Sequence, residues 1–413
     1  MKFLYIIIYI TMAALLSTGC RQNTKSNMNE YEAGAFGFDL QFLMQTDTPI
    51  VLSRADGREQ LVVSAKYQGK VFTSTAEGMS GPSLGYINHR VFDPLAEPNP
   101  HILAYGGENR LWIGPEGGRF SIFFEPGVEQ VYDNWFTPAP IDSEPWSIVR
   151  SAASSVDLTK TMEVVNYLGA RFSLRLDRSV ALLDAEGIRR ALGITPSPSL
   201  RTVAYLTDNS ITNLNDFEWT PATGTICIWM LDMFKVGPRS LTIVPFARGA
   251  EEEMGNVATT DYFGPIPHDR YAEGDSLVFL KTDGRYRSKI GLSPRRAKGI
   301  AANYDPDAGH LVVATFDMDK NAAYLNQEWS VSKEPMVGDV LNAYNDGPLD
   351  DGSLMGPFLE LESDSPAALL KPGQQLSHRH CVYHFCGSDA ALSEISQSLF
   401  GISITQLKEI FNP

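Results

Sequence analysis

Cysteine is scarce in this chain: four in 413 residues, at positions 20, 227, 381 and 386. With Cys20 set apart near the N-terminus, the other three are an odd number, so a framework that pairs every thiol is excluded. Cys381 and Cys386 stand five apart on what reads as one strand, where extended geometry separates them by roughly 16 Å, beyond disulfide reach. Positive charge is short as well: 34 Lys and Arg against 49 Asp and Glu give a formal net charge of -15. A surface of that sign repels phosphate backbones, which excludes nucleic acid as a partner. No repeat period runs through the chain, so a propeller or solenoid is excluded. No glycine-rich loop sits between a strand and a helix, so a dinucleotide or phosphate loop is not supported, and no cofactor is expected. Histidine is thin, seven in all, with none between His101 and His268. What is plentiful is apolar matter: 43% of residues are hydrophobic, enough for a sizeable core and against disorder.

The N-terminus has its own character. Lys2 precedes an apolar run over residues 3–16, the layout of a signal peptide. The run falls short of the about 20 residues that span a bilayer. It ends Leu15-Leu16-Ser17-Thr18-Gly19-Cys20, which resembles the lipobox of bacterial lipoproteins, with the aliphatic residue one place early and Ser17 in its position. That resemblance implies a signal peptide over residues 1–19 and lipidation at Cys20. The alternatives are an ordinary signal peptide with an incidental cysteine, or a retained transmembrane anchor. Acyl chains at Cys20 anchor firmly, each buried methylene adding about 0.8 kcal/mol. Residues 20–33 then read as the lipidated cysteine and a flexible polar tether. An acidic run after the cysteine resembles a surface-export signal of some Gram-negative lipoproteins; none follows Cys20, which favours a periplasm-facing protein, with a surface lipoprotein as the other reading. The expectation is a lipoprotein of a Gram-negative envelope, in the outer membrane, its soluble domain outside the cytoplasm.

Residues 34–413 read as one domain, because no internal linker interrupts them. Short β-branched and aromatic segments at 60–67, 120–124, 170–176, 202–206, 225–231 and 311–316 alternate with Gly, Pro, Asn and Asp clusters. Two helical patches stand out, 184–192 and 389–400. In the second, Ala391, Leu392, Ile395, Leu399 and Phe400 recur at helical spacing after Ser388, a plausible N-cap. The fold class expected is all-β, a large antiparallel β-sandwich with a short C-terminal helix.

Five segments carry chemistry. In 106–118, glycines bracket a short strand bearing Arg110, Trp112 and Glu116: a fork of donors, an indole face that suits a sugar's C–H face, and a carboxylate. The alternative is a tight hairpin with a structural Arg–Glu pair and a packed Trp. In 356–362, strand period places Phe358, Glu360 and Glu362 on one face and Leu359 and Leu361 toward the core. Carboxylates roughly 7 Å apart repel, which raises the pKa of one. In 377–386, His378, His380 and His384 alternate onto one face. The connection from Glu362 passes a Pro-Gly turn, so the two strands are expected to pair and bring histidines and glutamates into one site. Zinc is conceivable there, a polar strand face is the simpler reading, and no metal is assigned. Arg285, Arg287 and Lys289 alternate on a fourth segment, either neutralising buried carboxylates or meeting an acidic ligand. Asp339, Asn342, Asn345 and Asp346 suit turns, or calcium, without EF-hand spacing.

Leu359-Glu360 after a glycine, then Leu370-Lys371-Pro372-Gly373 and Tyr383-His384-Phe385, resembles the C-terminal part of galactose mutarotase-like proteins. Gly107-Glu108-Asn109-Arg110-Leu111-Trp112 resembles their early asparagine–arginine sugar-binding segment. Val203-Ala204-Tyr205-Leu206, followed by Asn209 and Asn213, is similar to a mid-chain strand and turn of that fold. The resemblance runs from about residue 36 to 411 and points to a lipoprotein branch of the superfamily. It implies a β-supersandwich and a carbohydrate ligand. Glu360 would be the base, with His380 or His384 as the acid. Asn109, Arg110, Trp112, Glu116, Arg287, Lys289 and Glu362 would contact the sugar. One departure stands out: mutarotases carry a catalytic histidine in mid-chain, and none is present here. Three functions therefore stay open: a non-catalytic carbohydrate-recognising lipoprotein, an aldose epimerase or related sugar-modifying enzyme using Glu360, and a structural envelope lipoprotein.

Overall fold

The structure, a computed structural model, describes residues 30–349 and 352–411. The expected signal peptide, Cys20 and the tether as far as residue 29 lie outside the described residues. In chain order the elements are α1 (Phe36–Leu43), β1 (Ile50–Ser53), β2 (Gln60–Ser64), β3 (Lys70–Thr75), β4 (Arg110–Gly114), α2 (Ala139–Asp142), β5 (Ser147–Ser151), β6 (Ser155–Val165), β7 (Arg171–Leu182), α3 (Ala185–Leu192), β8 (Arg201–Asn213) and β9 (Cys227–Lys235). There follow β10 (Leu241–Pro245), α4 (Glu251–Met254), β11 (Tyr271–Glu273), β12 (Leu277–Lys281), β13 (Ser288–Leu292), β14 (Ile300–Asp305), β15 (His310–Phe316), β16 (Leu341–Asn345), β17 (Phe358–Asp364), β18 (Gln375–Cys386), α5 (Asp389–Phe400) and α6 (Ile404–Glu409).

The strands form a ten-stranded sheet, β11-β12-β10-β14-β15-β18-β8-β7-β6-β5, a five-stranded sheet, β13-β16-β17-β9-β4, and a small sheet, β1-β2-β3. Every ladder between these strands is antiparallel. The all-β reading with a C-terminal helix is what the molecule shows.

Side-chain alternation explains the layers. Along β7, Phe172, Leu174, Leu176, Arg178, Val180 and Leu182 point inward and are buried, while the residues that alternate with them are partly or fully exposed. The apolar ones pack in one cluster with Leu111, Ile113, Met230, Phe234, Leu359 and Leu361 of the five-stranded sheet. The other face of the ten-stranded sheet offers Ala204, Ile243, Val313, Tyr383 and Phe385, which α5 and α6 cover with Leu392, Ile395 and Leu407. The helix α5 starts where the sequence predicts, with Ser388 Oγ accepting from the Ala391 amide at its N-cap. Asp184 caps α3 in the same way. Cys381 packs under the helices and Cys386 in the inter-sheet core, on opposite faces of β18, and both are free, as is Cys227.

Two expectations need correction. Residues 120–124 form turns rather than a strand, although Phe120, Ile122, Phe123 and Phe124 are all buried. The glutamate and histidine strands do not pair: β17 lies between β16 and β9, and β18 between β15 and β8, in different sheets. After Asp364 the chain keeps bonding alongside β9, with Ser365 N donating to Ile228 O and Ala368 N to Ile226 O. Only at the Lys371–Gln374 turn does it swing across to the ten-stranded sheet, held where Asn213 Nδ2 donates to Leu370 O at 2.8 Å.

Candidate functional site

Directly opposed residues in an antiparallel ladder share a face. The registers Trp112↔Trp229, Arg110↔Leu231, Leu231↔Glu362, Glu362↔Asn342, Met233↔Glu360, Glu360↔Tyr344 and Tyr344↔Lys289 therefore place these residues on one face of the five-stranded sheet. It is the face turned away from the ten-stranded sheet. The expected division within β17, glutamates on one side and Leu359 and Leu361 in the core, holds.

Two ion pairs cross this face. Arg110 reaches over β9 to Glu360, and Lys289 Nζ reaches over β16 to Glu362 Oε2 at 2.8 Å. Trp229 Nε1 donates to the same Glu362 oxygen at 3.0 Å. Aromatic rings edge the pairs: the Arg110 guanidinium is 5.2 Å from the Trp112 ring, and Lys289 Nζ is 5.4 Å from the rings of Trp229 and Tyr262. Arg287 lies 4.0 Å over Phe263 and donates to the Tyr344 hydroxyl, which donates in turn to Asp346. The basic stripe thus neutralises buried carboxylates at Lys289. Arg110 Nε has no hydrogen-bond partner among the described residues, and neither has Asn342 Oδ1.

Burial sets the electrostatics. Glu360, 8% exposed, is raised above the ordinary carboxylate range by desolvation, with Arg110 pulling it down and Glu362 pushing it up. Glu116 sits within the field of Lys289, Glu362 and Arg287, and burial lifts it to about 7. For Lys289, burial works against the charge, but Glu362 and Glu116 outweigh it and hold its pKa up. The main chain fixes Glu116, its N–H donating to Gln327 Oε1 at 2.5 Å.

Seven of the residues singled out in the sequence thus gather: Arg110, Trp112, Glu116, Arg287, Lys289, Glu360 and Glu362. Trp112 is only 5% exposed and packs edge-on against Trp229, so its indole is a wall rather than an open platform. Asn109, His380 and His384 are elsewhere, and the expected meeting of glutamates and histidines does not occur. Asn109 precedes Arg110 on the chain, so it points to the opposite face, where its Nδ2 donates to Asp232 Oδ1 at 2.6 Å and its oxygen accepts from Arg178. His380 lies between the sheets, 2.7 Å from Asp232 Oδ2 and 2.8 Å from Ser363 Oγ. His384 contacts Glu108 Oε1 and His310, both at 2.9 Å. All three are at most 1% exposed. Among the described residues no group of three or more His, Cys, Asp or Glu is placed to hold a metal ion.

Sequence reasoning missed Lys70, Arg178 and Asp232. Lys70 is buried beside Arg110, and desolvation and that guanidinium lower its pKa. Arg178 gave a usable signal: it occupies an inward position in the otherwise apolar series of β7.

No curated protein matches this sequence. Among solved structures, the chain is similar to a galactose mutarotase-like protein from Lactobacillus casei ATCC 334, at 11% identity and a TM-score of 0.47, over 82% of this chain and 100% of that one. It is similar to a galactose mutarotase related enzyme from Lactobacillus acidophilus, at 8% identity and 0.45, over 83% and 99%. An aldose epimerase homologue from C. elegans aligns at 11% identity and 0.43, over 82% and 99%. Identities this low do not speak to activity. The sequence itself matches one family across residues 34–411, and by that match the chain belongs to DUF6786, a family of unknown function.

Proposed function

We propose that this protein recognises carbohydrate on the Arg110–Glu360 face, as a lipid-anchored envelope protein whose folded domain lies outside the cytoplasm. The observation that carries the reading is the convergence of Arg110, Glu360, Lys289 and Glu362 on one face edged by Trp112, Trp229 and Tyr262. Sugar hydroxyls both donate and accept. A guanidinium and an ammonium supply donors, two carboxylates supply acceptors, and the rings supply apolar contact. A hydroxyl entering between the paired charges finds partners of both kinds. The resemblance of the Glu360 and Arg110 segments to galactose mutarotase-like proteins supports the same reading. The anchor rests on residues 1–20 of the sequence, ending Ser17-Thr18-Gly19-Cys20.

Recognition without mutarotation is the form we favour. Opening an aldose ring needs a base and an acid, and no histidine stands on the five strands of this sheet. One observation favours the second reading, an aldose epimerase or related enzyme with Glu360 as base. Glu116, lifted to about 7, and Glu360, raised to about 8, both titrate close to neutral pH, so one carboxyl of the face is suited to give a proton while the other takes one. Two measurements on the full chain in detergent decide: binding to a panel of glycans, and exchange NMR of aldose anomers. Sugar binding without faster anomer exchange supports recognition. Glu360-dependent exchange promotes the enzyme. Failure to bind any sugar overturns both and leaves a structural envelope role.

A further inference from the structure

A second polar space lies next to the charged face. Three loops, around residues 254–262, 293–295 and 322–339, line a half-open pocket of about 460 Å3, within the range of small-ligand sites. Its lining includes Thr259, Tyr262, Ser293, Asn326, Glu328 and Asp339. The donors and acceptors are mostly neutral amides and hydroxyls with two carboxyls among them. Arg295 is the single cation on that lining, and its guanidinium already donates to Glu253 O at 3.0 Å. A phosphate or carboxylate ligand would find no strong counter-charge there. A neutral polyhydroxy ligand would find what it needs. Ser293 Oγ, on this lining, has no hydrogen-bond partner among the described residues.

Tyr262 is the wall the two spaces share. On one side it lines the cavity and its hydroxyl donates to Asp339 Oδ2 at 2.8 Å. On the other its ring lies 5.4 Å from Lys289 Nζ, and its oxygen accepts from Asn342 Nδ2 at 3.1 Å. Asn342 is the cross-strand partner of Glu362. Gln327 ties the spaces together a second time: it lines the cavity while its side chain receives the Glu116 amide. We infer that this cavity is a second carbohydrate subsite, holding a neutral sugar unit next to the one at Arg110 and Glu360, so that the ligand is an oligosaccharide. The inference rests on the carbohydrate reading of the first face.

The test uses the full chain in detergent with free hexoses and pentoses and their di- and trisaccharides as probes. Asn256 is exposed and lines the cavity, so Asn256→Trp fills the space without touching the core. Asn326→Ala is the second variant, and thermal unfolding checks that each is folded. The expected result is that an oligosaccharide binds at least tenfold tighter than its monosaccharide. Both variants should erase most of that difference and leave monosaccharide affinity unchanged. Equal affinity for short and long sugars overturns the subsite and leaves the Arg110–Glu360 reading standing, as does a length preference that both variants keep. No binding by any probe overturns both.

Discussion

Arg110 and Glu360 are 250 positions apart in the sequence and form an ion pair across strand β9, each less than a tenth exposed. The pair has an energetic signature of its own. Removing one partner strands a buried charge, which typically costs about 3–5 kcal/mol, whereas replacing both with apolar residues of similar size is often close to neutral. Arg110→Ala should therefore lower stability by about that amount in denaturant unfolding. The double variant Arg110→Met, Glu360→Leu should recover most of it while abolishing sugar binding. A double variant as unstable as the single one would show that the two side chains do not depend on each other.

Glu116 predicts a pH effect. Its folded pKa, about 7, lies above the ordinary 4.5. Its contribution to stability is thus complete below pH 4.5 and is lost as pH rises through 7, where the folded state must ionise a desolvated carboxyl. Glu116→Gln should raise the thermal midpoint relative to the parent at pH 8 and change it little at pH 4. Melting curves at the two pH values check this, and a variant less stable than the parent at pH 8 would contradict it.

The interior histidines predict the opposite trend. His378 is pushed down from 6.5 to about 3 by burial, with His380 adding to the effect, and His310 is lowered by burial, with His384 adding to it. Stability from these neutral rings is present above pH 6.5 and is lost as pH falls toward 3, because only the unfolded chain takes up the protons. His378→Gln, which keeps a polar group near Ser363 Oγ, should flatten the acid limb of the stability–pH curve between 6 and 4. An unchanged slope would mean that His378 is not held neutral.

How far the sequence disclosed this molecule follows the range of the interactions. The helix α5 and its Ser388 cap were readable because both are local. The shared face of Glu360 and Glu362 was readable because strand period is two. Partner choice is not local, so nothing in residues 356–386 revealed that β17 and β18 join different sheets. The histidines shared a face as expected, but only the sheet assignment decides that this face is the interior, where Asp232 and Ser363 meet His380. Asn109 was assigned with Arg110 by resemblance, although adjacent strand residues point to opposite sides. Residues 120–124 looked like a strand because the apolar composition of a buried turn is the same.

The lipid anchor is open to a direct test. If Cys20 is lipidated as proposed, Cys20→Ser should release the protein from the membrane fraction into the soluble one, because acyl chains on that cysteine would supply the membrane affinity. Membrane association unchanged by Cys20→Ser, seen on fractionation and blotting, would remove the anchor from the account.

Sugar binding where Arg110 and Glu360 meet is open to direct observation. The measurement closest to it is a crystal structure of the protein with a sugar identified in the glycan panel. The account predicts sugar oxygens within hydrogen-bond distance of the Arg110 guanidinium and the Glu360 carboxylate, with the ring against Trp112, Trp229 or Tyr262. A sugar bound at a site that touches neither Arg110 nor Glu360 would contradict it.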